Sequence, residues 1–192
     1  VIPVINYDGS PQCPLGFNMS QNRMAVPVWS YLMELHPPAR IVELGSGNGG
    51  FTTVLGIHAW RIGAKVYSFE RHLAPDARWK SLAEFLGIEF FMGDLFGMVP
   101  AIKQIIQFDG PTILLCDNGN KIREFHLFAP YLKSGDIIAA HDHLCVGEGG
   151  FEWWPWREIT PADIAGTVST CDLRPFMQEH FDMTGWLVYK RI

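Results

Sequence analysis

Residues 41–52 read Ile41-Val42-Glu43-Leu44-Gly45-Ser46-Gly47-Asn48-Gly49-Gly50-Phe51-Thr52. An apolar run enters a glycine-dense turn and leaves it as a helical pattern. That order predicts a strand, a loop and a helix. The glycines allow a tight turn and close approach to the backbone, and the helix N-terminus offers free N–H groups. Gly45, Gly47 and Gly50 satisfy G-x-G-x-x-G, in the strand–loop–helix setting that the pattern needs for a dinucleotide. Glu43 argues otherwise, because a carboxylate at the strand end would repel a pyrophosphate and suit a cationic ligand. The chain also lacks a Tyr-x-x-x-Lys pair, and its 192 residues leave little room for a separate substrate domain.

Outward from this loop, short apolar runs alternate with longer helical patterns. Strands are predicted at 40–44, 65–70, 88–91, 111–116 and 136–141, each dense in β-branched or aromatic residues and bounded by Gly, Pro, Asp or Asn. Helices are predicted between them at 51–62, 75–86, 97–107 and 121–132. In the last, Ile122, Phe125, Phe128 (or Ala129) and Leu132 recur at helical spacing, and Lys121, Arg123 and Glu124 are expected to face away. A helix at 22–35 stops at His36-Pro37-Pro38. The alternating tail Gly185-Trp186-Leu187-Val188-Tyr189-Lys190 reads as a last strand. Runs apolar on both faces, alternating with helices, imply a mostly parallel sheet with helices on both faces. The expected architecture is a single α/β domain over 1–192, with an N-terminal helical segment at 1–38 and an aromatic loop insertion at 144–158.

Composition narrows the partners. Lys+Arg 15 against Asp+Glu 20 gives a net charge of -5, which argues against a nucleic-acid partner held on a basic face. The longest apolar runs, such as Ile113-Leu114-Leu115-Cys116, are too short to span a bilayer, so no membrane is expected. Val1-Ile2-Pro3-Val4 has no basic flank followed by an apolar stretch, so no signal peptide is expected, and the missing initiator Met leaves room for residues in front. Cys13, Cys116, Cys145 and Cys171 lie far apart, which suits reduced thiols in a cytoplasmic protein better than a disulfide frame or a zinc knuckle. Seven Trp and thirteen Phe are many for this length, and Trp153, Trp154 and Trp156 stand together.

An acidic residue followed by Gly-x-Gly-x-Gly resembles motif I of the class I S-adenosylmethionine-dependent methyltransferases, and the resemblance runs from Gly16 to the C-terminus. It implies a Rossmann-like fold with S-adenosyl-L-methionine as cofactor, held at Glu43, Gly45, Ser46, Gly47, Asn48 and Gly49. Glu70, followed by Arg71, ends the second strand, where family members use a carboxylate to accept from both ribose hydroxyls. Asp94 and Leu95 follow the third strand; the resemblance puts such an Asp on the adenine amino group and the next residue against the ring. Asp117 ends the fourth strand, beside the amino-acid part of the cofactor and the transferred methyl. These strand ends line the crevice that open α/β sheets use for ligands. The stretch Gly16-Phe17-Asn18-Met19-Ser20-Gln21 is expected to fold over the cofactor, as its equivalent does in relatives.

The block Leu115-Cys116-Asp117-Asn118-Gly119-Asn120-Lys121, with Phe128 to Asp142 and Gly49-Gly50-Phe51-Thr52, resembles the cephalosporin hydroxylase/rhamnosyl O-methyltransferase group. That group is related to the macrolide-sugar and catechol O-methyltransferases. The resemblance implies methylation of a small-molecule hydroxyl (sugar, natural product or phenol), in many relatives with Mg²⁺ held by acids after strands four and five. A divalent ion can bind and acidify such a hydroxyl. Asp117 and Asp142 would be its oxygen ligands, with His141 or His143 beside them. The usual pattern there is two acids, or acid plus amide, so His141-Asp142-His143 departs from it. Mg²⁺, the softer Mn²⁺, and no metal with a histidine as general base all stay open. Lys121 is a further candidate base, one residue farther from the strand-four acid than in catechol enzymes; otherwise it is an ordinary helix-start lysine. Trp153, Trp154 and Trp156 form a candidate acceptor wall, or else a hydrophobic plug or the contact of a homo-oligomer.

Two other readings stand beside this one: an NAD(P)-dependent oxidoreductase, and a catalytically silent methyltransferase-fold binding module. Base-modifying amino-methyltransferases carry an Asn/Asp-Pro-Pro-aromatic tetrad after strand four. This chain has Asp117-Asn118-Gly119-Asn120 there, so nucleic acid is not the expected acceptor.

Overall fold

The computed structural model describes residues 17–22, 24–72, 77–143 and 157–192. Seven strands, β1 (Arg40–Leu44), β2 (Lys65–Glu70), β3 (Ile88–Met92), β4 (Thr112–Cys116), β5 (Ile137–Ala140), β6 (Leu173–Pro175) and β7 (Leu187–Arg191), form one sheet. Their order is β3-β2-β1-β4-β5-β7-β6. The first five in that order run parallel, and β7 is antiparallel to both β5 and β6. The five parallel strands fall within a residue of their predicted ends, and the mostly parallel α/β sheet is the expected one.

Alternation along the strands sorts the core into two layers. Ile41, Ile113, Leu115 and Val188 point to one face, under the helices α1 (Ala25–Leu35), α2 (Gly50–Ile62), α3 (Ala77–Phe85) and α7 (Gln178–Phe181). Val42, Leu114, Ile138 and Leu187 point to the other, under α4 (Val99–Ile106), α5 (Lys121–Phe128) and α6 (Pro161–Thr170). Strand order reverses at β1, whose neighbours β2 and β4 carry the chain to opposite edges. That reversal opens a crevice beyond the C-terminal ends of β1 and β4, the ligand position of open α/β sheets.

Two departures matter for the site. The fifth helix ends at Phe128 and passes into a 3₁₀ turn, Ala129–Tyr131, because Pro130 has no N–H to continue the ladder. Its first turn also does not face solvent. Lys121 is 5 % exposed and Glu124 is 0 % exposed, against the expectation for both, while Arg123 is exposed as expected. The helix begins beneath the crevice, so its polar face at this end is covered by the ends of β4 and β5. Residues 159–184, to which the sequence reading assigns nothing, hold α6, β6 and α7. The start of α6 is specified by a capping box between Thr160 and Asp163, with Pro161 at the first helical position.

The segment before α1 is fastened to the glycine loop. Gly50 N–H donates to the Asn18 carbonyl at 3.1 Å, and a Cβ on Gly50 would overlap that oxygen. Gly50→Ala is therefore expected to lower stability by about 1–3 kcal/mol and to raise backbone hydrogen exchange at residues 17–22. Denaturant unfolding and exchange mass spectrometry check both; an unmoved exchange pattern would mean that this contact does not hold the segment.

Candidate active site

The strand ends are tied to one another around the crevice. Asp117 N–H donates to the Leu44 carbonyl at 2.8 Å, Gly45 N–H to Phe69 at 2.8 Å, and His141 N–H to Cys116 at 3.1 Å. Gly45 has φ +96°, and a Cβ there would strike the Asp117 carbonyl, so β1 and β4 meet this closely only through glycine. Glu70 braces the loop from β2: its carboxylate accepts from Gly47 N–H at 2.8 Å and from the N–H groups of Arg71 and His72. The Ser46 hydroxyl is buried with no hydrogen-bond partner among the described residues. Such a group is an orphan that a bound ligand can satisfy.

These elements enclose a cavity of about 410 Å³, within the range of small-molecule sites. The loop from Gly45 to Asn48 forms one wall and the segment from Asn18 to Gln21 the opposite one; Asp117, His141, Asp142 and Glu158 close the floor. Gln21 joins wall to floor. The Trp186 indole N–H donates to Gln21 Oε1 at 2.9 Å, and Gln21 Nε2 donates to Asp117 Oδ2 at 3.0 Å. An indole N–H can only donate, so the amide orientation is set by Trp186 rather than chosen.

The floor is a cage of acids around one cation. The Lys121 ammonium lies 2.6 Å from Asp142, 2.8 Å from Glu158 and 3.6 Å from Asp117. Burial alone would lower the Lys121 pKa, but Asp117, Asp142 and Glu158 outweigh it and raise it above the ordinary lysine value. In this arrangement Lys121 is an ammonium ion, which favours an ion-pair role over that of a base. Asp142 reaches the cage from a left-handed backbone at φ +62°, a conformation that Asp tolerates better than most residues. Its carbonyl accepts from Glu158 N–H at 2.8 Å, which brings the third carboxylate over.

His141 completes the floor. Its Nδ1 is 3.3 Å from Asp117 Oδ1 and 3.3 Å from Asp142 Oδ1, and its ring packs on Trp186 with centroids 4.7 Å apart. Two carboxylates around one nitrogen assign the proton to Nδ1. Asp117, His141 and Asp142 are also the one set of potential metal ligands grouped among the described residues, with ligand atoms within 4.8 Å of one another.

Glu43 lines the same cavity, but not as the anion its sequence position suggests. It is 2 % exposed and accepts from the Ser68 hydroxyl at 2.5 Å. Burial pushes its pKa up to about 8, against hydroxyl donation from Ser68 and with help from the negative charges of Asp117 and Glu70. Beneath the floor, burial likewise lifts Glu124 to about 7, although it accepts from Asn118 and Asn120 N–H.

No protein-family model and no curated protein matches the chain in sequence. Solved structures do match it in shape. CmcI in an Mg-SAM form aligns with TM-score 0.70 at 20 % identity, covering 96 % of this chain and 78 % of that one. The SAH-bound methyltransferase PaMTH1 of Podospora anserina gives 0.57 at 12 % identity, covering 91 % and 80 %. The O-methyltransferase TomG of Streptomyces achromogenes, in complex with SAM, gives 0.53 at 12 % identity, covering 88 % and 80 %. The chain has the class I methyltransferase fold.

On that fold, the structure gathers part of the predicted set. Glu43, Gly45, Ser46, Gly47, Asn48, Asp117, His141 and Asp142 line one cavity, and Lys121 meets it from below. Gly49 is buried behind the loop, where its carbonyl accepts from the Trp79 indole. Other predicted residues stand apart. Asp94 is exposed and caps a 3₁₀ turn, Leu95 is packed in the core, and the Arg71 side chain is exposed. His143 turns its Nδ1 to the Ile159 carbonyl at 3.2 Å, outside the carboxylate cluster. Trp153, Trp154 and Trp156 lie outside the described residues. Gln21 was expected only as part of the stretch over the cofactor, whose residues 18–21 line the cavity, while Glu158 and Trp186 were missed; the hydrogen-bond role of each comes from partners distant in sequence.

Glu43 carries a pH signature. Its folded pKa of about 8 lies above the ordinary 4.5, so the folded state holds the proton more tightly. Its contribution to stability is full below the unfolded value and is lost as pH rises through that window. Glu43→Gln is expected to flatten the fall in Tm between about pH 5 and 8, leaving a residual slope from Glu124. Melts across that range check it, and parallel wild-type and variant curves would show that Glu43 does not titrate there.

Proposed function

We propose that this chain is an S-adenosylmethionine-dependent methyltransferase acting on a hydroxyl oxygen of a small molecule. The observation that carries the reading is the cavity at the β1/β4 reversal, where an imidazole oriented by two carboxylates faces a glycine loop with an orphaned hydroxyl. S-adenosylmethionine, when bound, supplies a methyl already activated on a sulfonium centre. What the protein must add is alignment and removal of one proton. Ser46 and the Gly47 side of the loop offer polar contacts, Glu70 stands at the end of β2 for the ribose hydroxyls, and the segment from Asn18 to Gln21 excludes water.

His141 is the group assigned to take the hydroxyl proton, at the buried Nε2 that its Nδ1–H tautomer leaves unprotonated. With Nδ1–H given to Asp117 and Asp142, the ring is held in one tautomer and an imidazolium there is stabilised. His141 would receive the hydroxyl proton as the oxygen is alkylated, and Asp117 and Asp142 would hold the resulting imidazolium. Glu43, buried in the cavity wall, would ionise more readily if a cation were bound beside it.

Asp117 and Asp142, with His141 once its Nδ1 has given up the proton, are the residues that would hold a divalent ion, which would acidify the hydroxyl. Their donor types suit Mg²⁺ or Mn²⁺, while their oxygens are already engaged by Lys121. Trp153, Trp154 and Trp156 are assigned to the acceptor wall. The widely spaced cysteines favour a reducing compartment, the cytoplasm, for this reading.

Calorimetry with S-adenosylhomocysteine and NADH, followed by turnover on sugars, catechols and phenols, tests the reading. Binding of the thioether and methylation of at least one hydroxyl are expected. His141→Ala should lower turnover by about 10²-fold or more with thioether affinity little changed, and Trp153→Ala should raise the acceptor KM alone. Tight NADH binding without a response to the thioether would move the chain to the oxidoreductases. Thioether binding without transfer to any acceptor would leave a binding module.

A further inference from the structure

We infer that the Lys121 ammonium is the resident cation of this site and that it and a divalent ion exclude one another. The inference names the cation of the proposed methyltransferase site and so rests on that reading. Lys121 is buried, and its Nζ hydrogen-bonds Asp142 Oδ2 at 2.6 Å and Glu158 Oε2 at 2.8 Å, with Asp117 Oδ1 at 3.6 Å. An ammonium has three N–H donors, and three carboxylates surround this one. Asp117 Oδ1 is also the oxygen facing His141 Nδ1, and Asp117 Oδ2 is taken by Gln21. An ion drawing on the lone pairs of Asp117 and Asp142 would have to do so against a like charge already bonded there. The side chain that reaches this position does so from the first turn of α5, anchored by the Asn120 side chain accepting from Arg123 N–H at 3.1 Å.

The positive charge needed beside a developing alkoxide is then built into the chain. Lys121 serves here as a positioning residue: it fixes the two carboxylates that orient His141. Glu158, whose side chain is 44 % exposed, is the most solvent-accessible of the three partners, so it is the side towards which the ammonium can withdraw when an ion enters.

The test titrates Mn²⁺ by calorimetry into metal-free wild type, Lys121→Met and Lys121→Arg, with melts in EDTA and in Mn²⁺. Lys121→Met is expected to bind Mn²⁺ at least about tenfold tighter than wild type. Its Tm should fall in EDTA, where three carboxylates face one another uncompensated, and recover with the ion. Lys121→Arg keeps the charge and should bind Mn²⁺ no tighter than wild type. Equal or weaker Mn²⁺ binding by Lys121→Met overturns the inference. Should that variant fail to fold, wild type decides by NMR: Mg²⁺ binding seen by calorimetry must move the Lys121 Cε resonance over the same concentrations, and ion binding with that resonance unmoved overturns it; no detectable ion binding upholds it. Thioether affinity of wild type, measured alongside, reports separately on the methyltransferase reading.

Discussion

The contact on which the site depends is the backbone meeting of Gly45 with Asp117. Parallel strands at a reversal of strand order diverge beyond their last residues, and the fold uses that gap as a pocket. Here the gap is pinned at its base by the Asp117 N–H bond to Leu44 and by the missing side chain at Gly45. Widening it by one methyl group would displace the first acid of the floor, and with it His141, Lys121 and Gln21, all of which are placed relative to Asp117.

Charge at the site is set by burial as much as by residue type. Five acids, Glu43, Asp117, Glu124, Asp142 and Glu158, stand in or under the cavity with Lys121 among them. Two of them escape mutual repulsion through raised pKa values, Glu43 in the wall and Glu124 beneath the helix start. The other three share the ammonium. A buried cluster with one partner removed is costly because charges are left uncompensated, so the cluster behaves as a unit.

The sheet, its strand ends and the glycine loop were legible because each is written in a short local stretch: 41–52 for the loop, and β-branched runs bounded by turn residues for the strands. Helical periodicity misplaced Lys121 and Glu124, since a period of 3.6 sorts residues by the face of the main core and has no knowledge of a second buried surface at one helix end. The acid at Glu43 was legible as a residue and not as a charge, because its proton is held by burial. The stretch ending at Gln21 was legible as a cover for the site, but the hydrogen bonds of Gln21 were not. A glutamine in a loop says nothing until Trp186, 165 positions away, fixes which of its ends donates.

That last pair also bears on how wall and floor are joined. Gln21 can close over the floor in only one sense, because Trp186 dictates which end of the amide meets Asp117. Displacing Gln21 would break both of these hydrogen bonds together, one to the indole and one to the acid. Opening the wall also frees an acid that orients His141. The geometry of the floor and the position of the wall are thereby one structural unit, held through a single amide.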